Sequence, residues 1–188
     1  SMARRILLAV LALTLAACSD RPRLEERADA PQSLVLEAYF DGRLTAWGQF
    51  QDRFGTVRRS FVVAIQGEWD GETLTLTEDF VYEDESREQR VWRLRKTGAN
   101  TWAGTAAGVV GEAVGEVRGD AFNWRYTIDL QTPDGPLRAS FDDWMWLQAD
   151  GNTLINRAYM SKYGFDIGEV IIFFQKDAGP RNTSGEKF

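Results

Sequence analysis

Dipeptides suited to tight turns recur along this chain at short, regular intervals. They are Asp41-Gly42, Phe54-Gly55, Asp70-Gly71, Asp84-Glu85, Gly98-Ala99-Asn100, Gly119-Asp120, Asp134-Gly135 and Asp150-Gly151-Asn152. Glycine and asparagine tolerate the positive φ that two-residue hairpin turns demand. Turn marks 13–16 residues apart, with one gap of 21, leave strand-length segments between them, as an antiparallel sandwich or barrel requires. Between them lie segments rich in Val, Ile, Thr, Phe, Tyr and Trp, at 43–53, 57–68, 72–82, 88–96, 101–107, 112–118, 121–131, 137–147, 153–162 and 168–176. None of the central segments repeats its apolar residues every 3.6 positions, so helices are not expected there. Residues 33–40 (SLVLEAYF) fit either a short helix capped by Ser33 or an extended segment.

Consecutive hairpins without long crossovers imply an up-and-down sheet. An open sheet of ten strands exposes two edges, and closing it removes both. The predicted fold is therefore all-β, an antiparallel up-and-down barrel of about ten strands, lipocalin-like in architecture. Such a barrel has room for packed side chains or one small ligand.

Alternation along each strand identifies the inward face. One face of 72–82 reads Leu74, Leu76, Glu78, Phe80, Tyr82, and one face of 121–130 reads Phe122, Trp124, Tyr126, Ile128, Leu130. In 137–147 a face reads Leu137, Ala139, Phe141, Asp143, Met145, Leu147, and in 153–163 one reads Ile155, Arg157, Tyr159. Glu78, Asp143 and Arg157 thus interrupt apolar faces. Buried charges are costly unless paired, and a cluster of these three inside the barrel meets that need. It serves either as a structural ion pair or as a seat for the polar head of a ligand. Trp124, Tyr126 and Trp47 join them as candidate ligand contacts, although the seven tryptophans serve equally as core filling. Trp144 and Trp146 fall on the face opposite Asp143. Asp142 and Asp143, being adjacent, point to opposite faces and cannot flank one glycosidic bond. The glycine-rich run 104–119 has no phosphate-loop Lys-Ser/Thr pair and suits a tight bend at a barrel corner.

The chain has no histidine and one cysteine, Cys18. Histidine-dependent triads, histidine metal sites and disulfides are excluded. No cofactor and no metal site is implied, and no calcium-loop motif occurs. The net charge of −6 argues against nucleic acid as a partner.

Cys18 itself sits in a telling place. Arg4 and Arg5 precede an apolar run, Ile6 to Leu15, too short to span a bilayer comfortably, and Leu15-Ala16-Ala17-Cys18 follows. The order resembles the bacterial lipobox. It implies a signal peptide over 1–17 and a mature chain that begins with Cys18 bearing acyl chains, of which two or more hold a protein stably to a membrane. A plain signal peptide or short N-terminal anchor with an incidental cysteine is the alternative. Ser19 in place of Asp after the cysteine directs such lipoproteins toward the outer membrane, on its periplasmic side, although Asp20 follows. Residues 18–33, polar and holding two prolines, read as a tether, 34–176 as the barrel domain, and 177–188 as a flexible tail.

Five stretches, AWGQFQDR (46–53), GETLTLTEDF (71–80), NWRY (123–126), FDDWM (141–145) and NTLINR (152–157), resemble a bacterial lipoprotein family known as domain of unknown function 3833. The resemblance runs from about Leu34 to Lys176. It implies a calycin-type barrel, a class that commonly binds apolar molecules, and it implies no particular reaction.

Three functions fit these observations. The first is a membrane-anchored periplasmic lipoprotein that binds or carries an apolar, fatty-acyl-like ligand in its barrel. The second is a non-catalytic envelope scaffold with an exposed aromatic patch near Trp144 and Trp146. The third is a carboxylate-based enzyme using Glu78, Asp143 or Asp79 as acid or base, with Arg157 or Arg125 holding an anion. The residues favour the binding protein, and catalysis ranks last because no nucleophile motif accompanies the carboxylates.

Overall fold

The computed structural model describes residues 21–177. The stretch read above as a signal peptide, Cys18 and nearly all of the tail lie outside the described residues. Ten strands form one sheet: β1 (Gly42–Asp52), β2 (Val57–Trp69), β3 (Thr73–Tyr82), β4 (Arg87–Lys96), β5 (Thr101–Thr105), β6 (Ala113–Arg118), β7 (Ala121–Thr132), β8 (Gly135–Leu147), β9 (Thr153–Lys162) and β10 (Phe165–Lys176). Each pairs antiparallel with its sequence neighbours, and β1 pairs with β10 from Leu44↔Lys176 to Asp52↔Gly168, closing the barrel. The up-and-down topology expected from the turn chemistry is the observed one, and the strand boundaries fall within a few residues of the segments between the turn marks.

The strands hold together because one face of each is apolar. Leu44, Ala46, Val63, Ile65, Leu74, Leu76 and Phe174 are buried inside, while their neighbours along each strand face out. The glycines at the β5–β6 corner let strands cross closely. A Cβ at Gly115 would stand 2.3 Å from the carbonyl oxygen of Asn123, so no larger residue fits that bend.

One end of the barrel is plugged. The short helix α1 (Leu36–Tyr39) lies before β1 and inserts Leu36 and, just after it, Phe40, both buried. Lys176 at the end of β10 donates from Nζ to the carbonyls of Ala38, Tyr39 and Asp41 at 3.0, 2.7 and 3.2 Å, satisfying groups the helix end would leave bare. Phe40 meets Phe174 edge to face at 5.9 Å, and the Tyr39 hydroxyl donates to the carbonyl of Asn152 at 3.0 Å.

Residues 21–33 differ from the free tether that their polarity suggests. They run along the outer wall from one end of the barrel to the other. Arg21 donates to Asp166 at 2.8 Å and lies 3.7 Å over the Tyr159 ring. A 3-10 turn (Leu24–Arg27) packs on β6 and β7. Arg27 then pairs through Nε with Asp120 at 2.8 Å, Gln32 donates to the carbonyl of Gln148, and Leu34 donates its N–H to Gly119. Asp120 is almost wholly buried under this contact. The charges that make the stretch read as linker are the groups that fasten it.

Candidate functional site

The barrel encloses a cavity of about 650 Å³. Its floor is Leu36, Phe40, Leu94 and Phe174 beside the α1 plug, and it reaches Asp52, Arg58, Arg59, Pro133 and Asp134 at the opposite end, where the β1–β2 and β7–β8 turns lie. The volume falls within the range of small-molecule sites, on the order of 300–1,000 Å³.

The walls are strongly aromatic. Trp92 meets Tyr126 at 5.0 Å and Trp124 at 5.9 Å, both edge to face, and Tyr126 stacks on Phe141 at 5.0 Å. Phe61, Phe80 and Tyr82 form a second cluster nearer the mouth. Such rings present large rigid apolar area at little entropic cost.

Four polar groups interrupt this lining. Glu78 on β3 stands across the ladder from Arg90 on β4. Arg90 donates to Glu88 at 2.8 Å, and Glu88 in turn accepts from the Tyr82 hydroxyl at 2.6 Å. Asp143 on β8 is buried and accepts from the amide of Asn156 on β9, which also donates to the carbonyl of Trp144 at 2.8 Å. Strands β3 and β8 are five places apart in either direction around the ten-strand ring. Glu78 and Asp143 therefore face one another across the lumen.

Burial pushes the Glu78 carboxyl up to about 7, with the nearby Arg90 cation pulling it down and Glu88 pushing it up. Burial pushes Asp143 up to about 8; the Asn156 hydrogen bond opposes this, and the charges of Glu78 and Asp142 add to it. The Tyr126 hydroxyl is raised well above its ordinary value, chiefly by burial. At neutral pH the two carboxyls thus carry protons for much of the time. They donate as readily as they accept, in a lumen otherwise apolar.

Of the six residues singled out as ligand contacts, the structure brings four to the cavity: Glu78, Asp143, Trp124 and Tyr126. Arg157 and Trp47 face outward. Arg157 pairs with Glu169 on the outer wall at 2.6 Å, and Leu154, Asn156, Ala158 and Met160 turn inward instead. Trp47 lies in an outward row with Val62 and Phe173, all substantially exposed. Both faces of β9 carry large apolar residues, so alternation there reads equally well in either phase, and a shift of one residue inverts the assignment; on β1, Trp47 shares its face with Arg43, Thr45, Gln49 and Gln51, a polar and therefore outward face. The interior cation is Arg90, which Arg157 was expected to be. The face Glu88, Arg90, Trp92, Leu94 carried that signal, since Trp92 and Leu94 fix its direction. Trp144 is buried although it faces out, and it stacks at 6.1 Å on the half-buried Trp146. Asp142 faces out to accept from Asn123 at 2.8 Å, on the side opposite Asp143.

Residues 12–176 match the family model described as protein of unknown function DUF3833. The chain belongs to this family. No curated protein matches it. Among solved structures, this DUF3833 barrel is similar to the S-type phycobiliprotein lyase CPES from Guillardia theta, with a TM-score of 0.60 at 10% identity over 84% of this chain and 99% of that one. It is similar also to Rv2717c from M. tuberculosis, with a TM-score of 0.51 at 16% identity over 75% of this chain and 94% of that one. At such identities the likeness is one of fold, and it places the DUF3833 chain among lipocalin-like barrels.

Proposed function

We propose that this protein binds an apolar, fatty-acyl-like molecule in its barrel and carries it at the bacterial cell envelope, held there by lipid on Cys18. The observation that carries the reading is the cavity. It is deep, floored by α1, aromatic along its walls, and supplied at mid-depth with Glu78, Arg90 and Asp143. An acyl tail suits the floor. A polar head at the level of Glu78 meets a cation and two carboxyls able to donate hydrogen bonds, which suits a carboxylate or a neutral acyl derivative. The similarity to a barrel named as a phycobiliprotein lyase supports ligand binding by analogy of fold alone.

The lipid anchor rests on the lipobox-like stretch, and the outer membrane on Ser19 after the cysteine. Incorporation of labelled palmitate into the wild type but not into Cys18→Ser, followed by density separation of the two membranes, tests both.

Native mass spectrometry of residues 19–188, purified gently from a bacterial host and then extracted with organic solvent, tests the carrier reading. A stoichiometric acyl lipid is the expected result. A clean apo mass, with no uptake from an added lipid mixture, overturns it.

A further inference from the structure

We infer that the open end of the barrel docks onto a lipid bilayer, so that the cavity mouth faces the membrane from which its ligand comes. The inference deepens the carrier reading and rests on it for the ligand and for the lipid on Cys18, while the aromatic rim stands apart from it.

Two neighbouring hairpins form one side of the mouth. The β1–β2 and β9–β10 turns stand side by side because β1 pairs with β10 up to Asp52↔Gly168, and the Arg53 N–H continues the ladder to the carbonyl of Ile167 at 3.1 Å. Their tips present large apolar residues to solvent: Phe54 is 77% exposed, Val57 47%, Tyr163 88% and Phe165 73%. Folded chains seldom cluster such residues at hairpin tips without something to cover them. Tyr163 holds φ at 52° and Gly164 at 79°, as a two-residue hairpin turn requires. Asn or Gly takes that first position with least strain, so an exposed tyrosine there is kept against the local backbone preference.

Basic side chains accompany the rings. Arg53 lies 4.6 Å over Phe54 and Lys162 5.5 Å from the Tyr163 ring, with Arg59 close by at the mouth. An aromatic tip flanked by cations suits the boundary between headgroups and acyl chains, where rings sit at the interface and cations meet phosphate.

The chain's own geometry points the same way. Arg21 is fastened to Asp166, within the β9–β10 hairpin that forms this rim. Cys18 lies three residues earlier, within about 10 Å of extended chain. A lipid on Cys18 therefore enters the bilayer beside these tips and not at the α1 end. Anchor, aromatic tips and cavity mouth converge on one end of the barrel, and the occupant that suits all three is a membrane surface.

The test uses residues 19–188, which keep every contact of the described barrel but lack the lipid. Flotation with vesicles of phosphatidylcholine and phosphatidylglycerol is compared for the parent, the rim variant Phe54→Ser/Phe165→Ser, and the wall variant Trp47→Ser/Phe173→Ser. Uptake of a fluorescent fatty acid from solution is measured for each. The expected result is that the parent floats, the rim variant loses its partitioning by at least about tenfold, the wall variant matches the parent, and all three take up the fatty acid alike. Absence of flotation by the parent, flotation unchanged by the rim substitutions, or loss confined to the wall variant overturns the docking. Failure of fatty-acid uptake by a parent that floats normally sinks the carrier reading and leaves the docking standing.

Discussion

Arg90 stands directly across the β3–β4 ladder from Glu78 but gives its hydrogen bond to Glu88. The cation is thus held in the lumen by one carboxylate while a second, beside it, keeps its oxygens free for a bound molecule. Replacing Arg90 with Met is expected to weaken binding of an acyl carboxylate by roughly ten- to a hundredfold, as loss of one charge-assisted hydrogen bond of about 1.5–3 kcal/mol implies. Binding of the corresponding methyl ester should barely change. Displacement of a fluorescent fatty acid measures both.

Binding of the acid should depend on pH in a definite direction. Below about 7, Glu78 and Asp143 are mostly protonated and donate to the ligand head. As pH rises through about 7 to 8 they ionise in turn and repel a carboxylate, so affinity falls. Glu78→Gln/Asp143→Asn should hold affinity flat across the same range. A parent whose affinity rises with pH would contradict this.

The same two groups tie stability to pH. Their folded-state values lie above the ordinary carboxylate values, so between roughly pH 4 and 8 the folded chain binds more protons than the unfolded one, and stability declines as pH rises. The contribution is fully present below about pH 4 and is gone above about 8. Thermal unfolding at stepped pH should show this slope, and the double amide variant should flatten it.

Ala158 is an inward residue of β9, directly across the ladder from Asp143. Ala158→Phe projects a ring into the open lumen rather than into packed core. Fatty-acid uptake should be abolished, with a stability cost of no more than about 1–3 kcal/mol, the usual range for overpacking. Full uptake by a folded Ala158→Phe protein would show that the ligand lies elsewhere.

Gly119 has φ 56°, and a Cβ there would lie 1.8 Å from the carbonyl oxygen of Arg27. Gly119→Ala should therefore prise the N-terminal segment from the wall at a cost of about 1 kcal/mol or more. Trypsin should then cut at Arg23 or Arg27 well before the barrel itself is attacked. An unchanged digestion pattern would mean that the segment is held by its side chains alone.

Much of this architecture was legible in the residues, for physical reasons that differ by region. Hairpin turns announce themselves because only a few residue types tolerate their backbone angles, so Asp70-Gly71 and Asp134-Gly135 mark strand ends. Inward faces were legible wherever the opposite face is polar: Glu78 and Asp143 were placed correctly because Asp79 and Asp142 beside them belong outside. On β9 that contrast vanishes, so Arg157 reads as inward although it faces out; Trp47 is drawn inward only by its bulk, since Thr45 and Gln49 beside it on β1 mark an outward face. The docking of residues 21–33 had no periodic signal at all. It rests on single ion pairs between distant positions, such as Arg27 with Asp120, which composition reads only as solubility.

Every strand contact in this barrel but one joins neighbours along the chain. The exception is the seam between β1 and β10, where Leu44 meets Lys176. The other hairpins can zip as soon as their two strands exist, because little loop entropy opposes them. The seam cannot form until the last strand has been made. Until then β1 presents an unpaired edge, and Lys176, the residue that secures α1 over the floor, is not yet in place. The C-terminal strand is therefore the clasp of the whole molecule: a chain cut short before it would keep most of its hairpins and yet hold nothing.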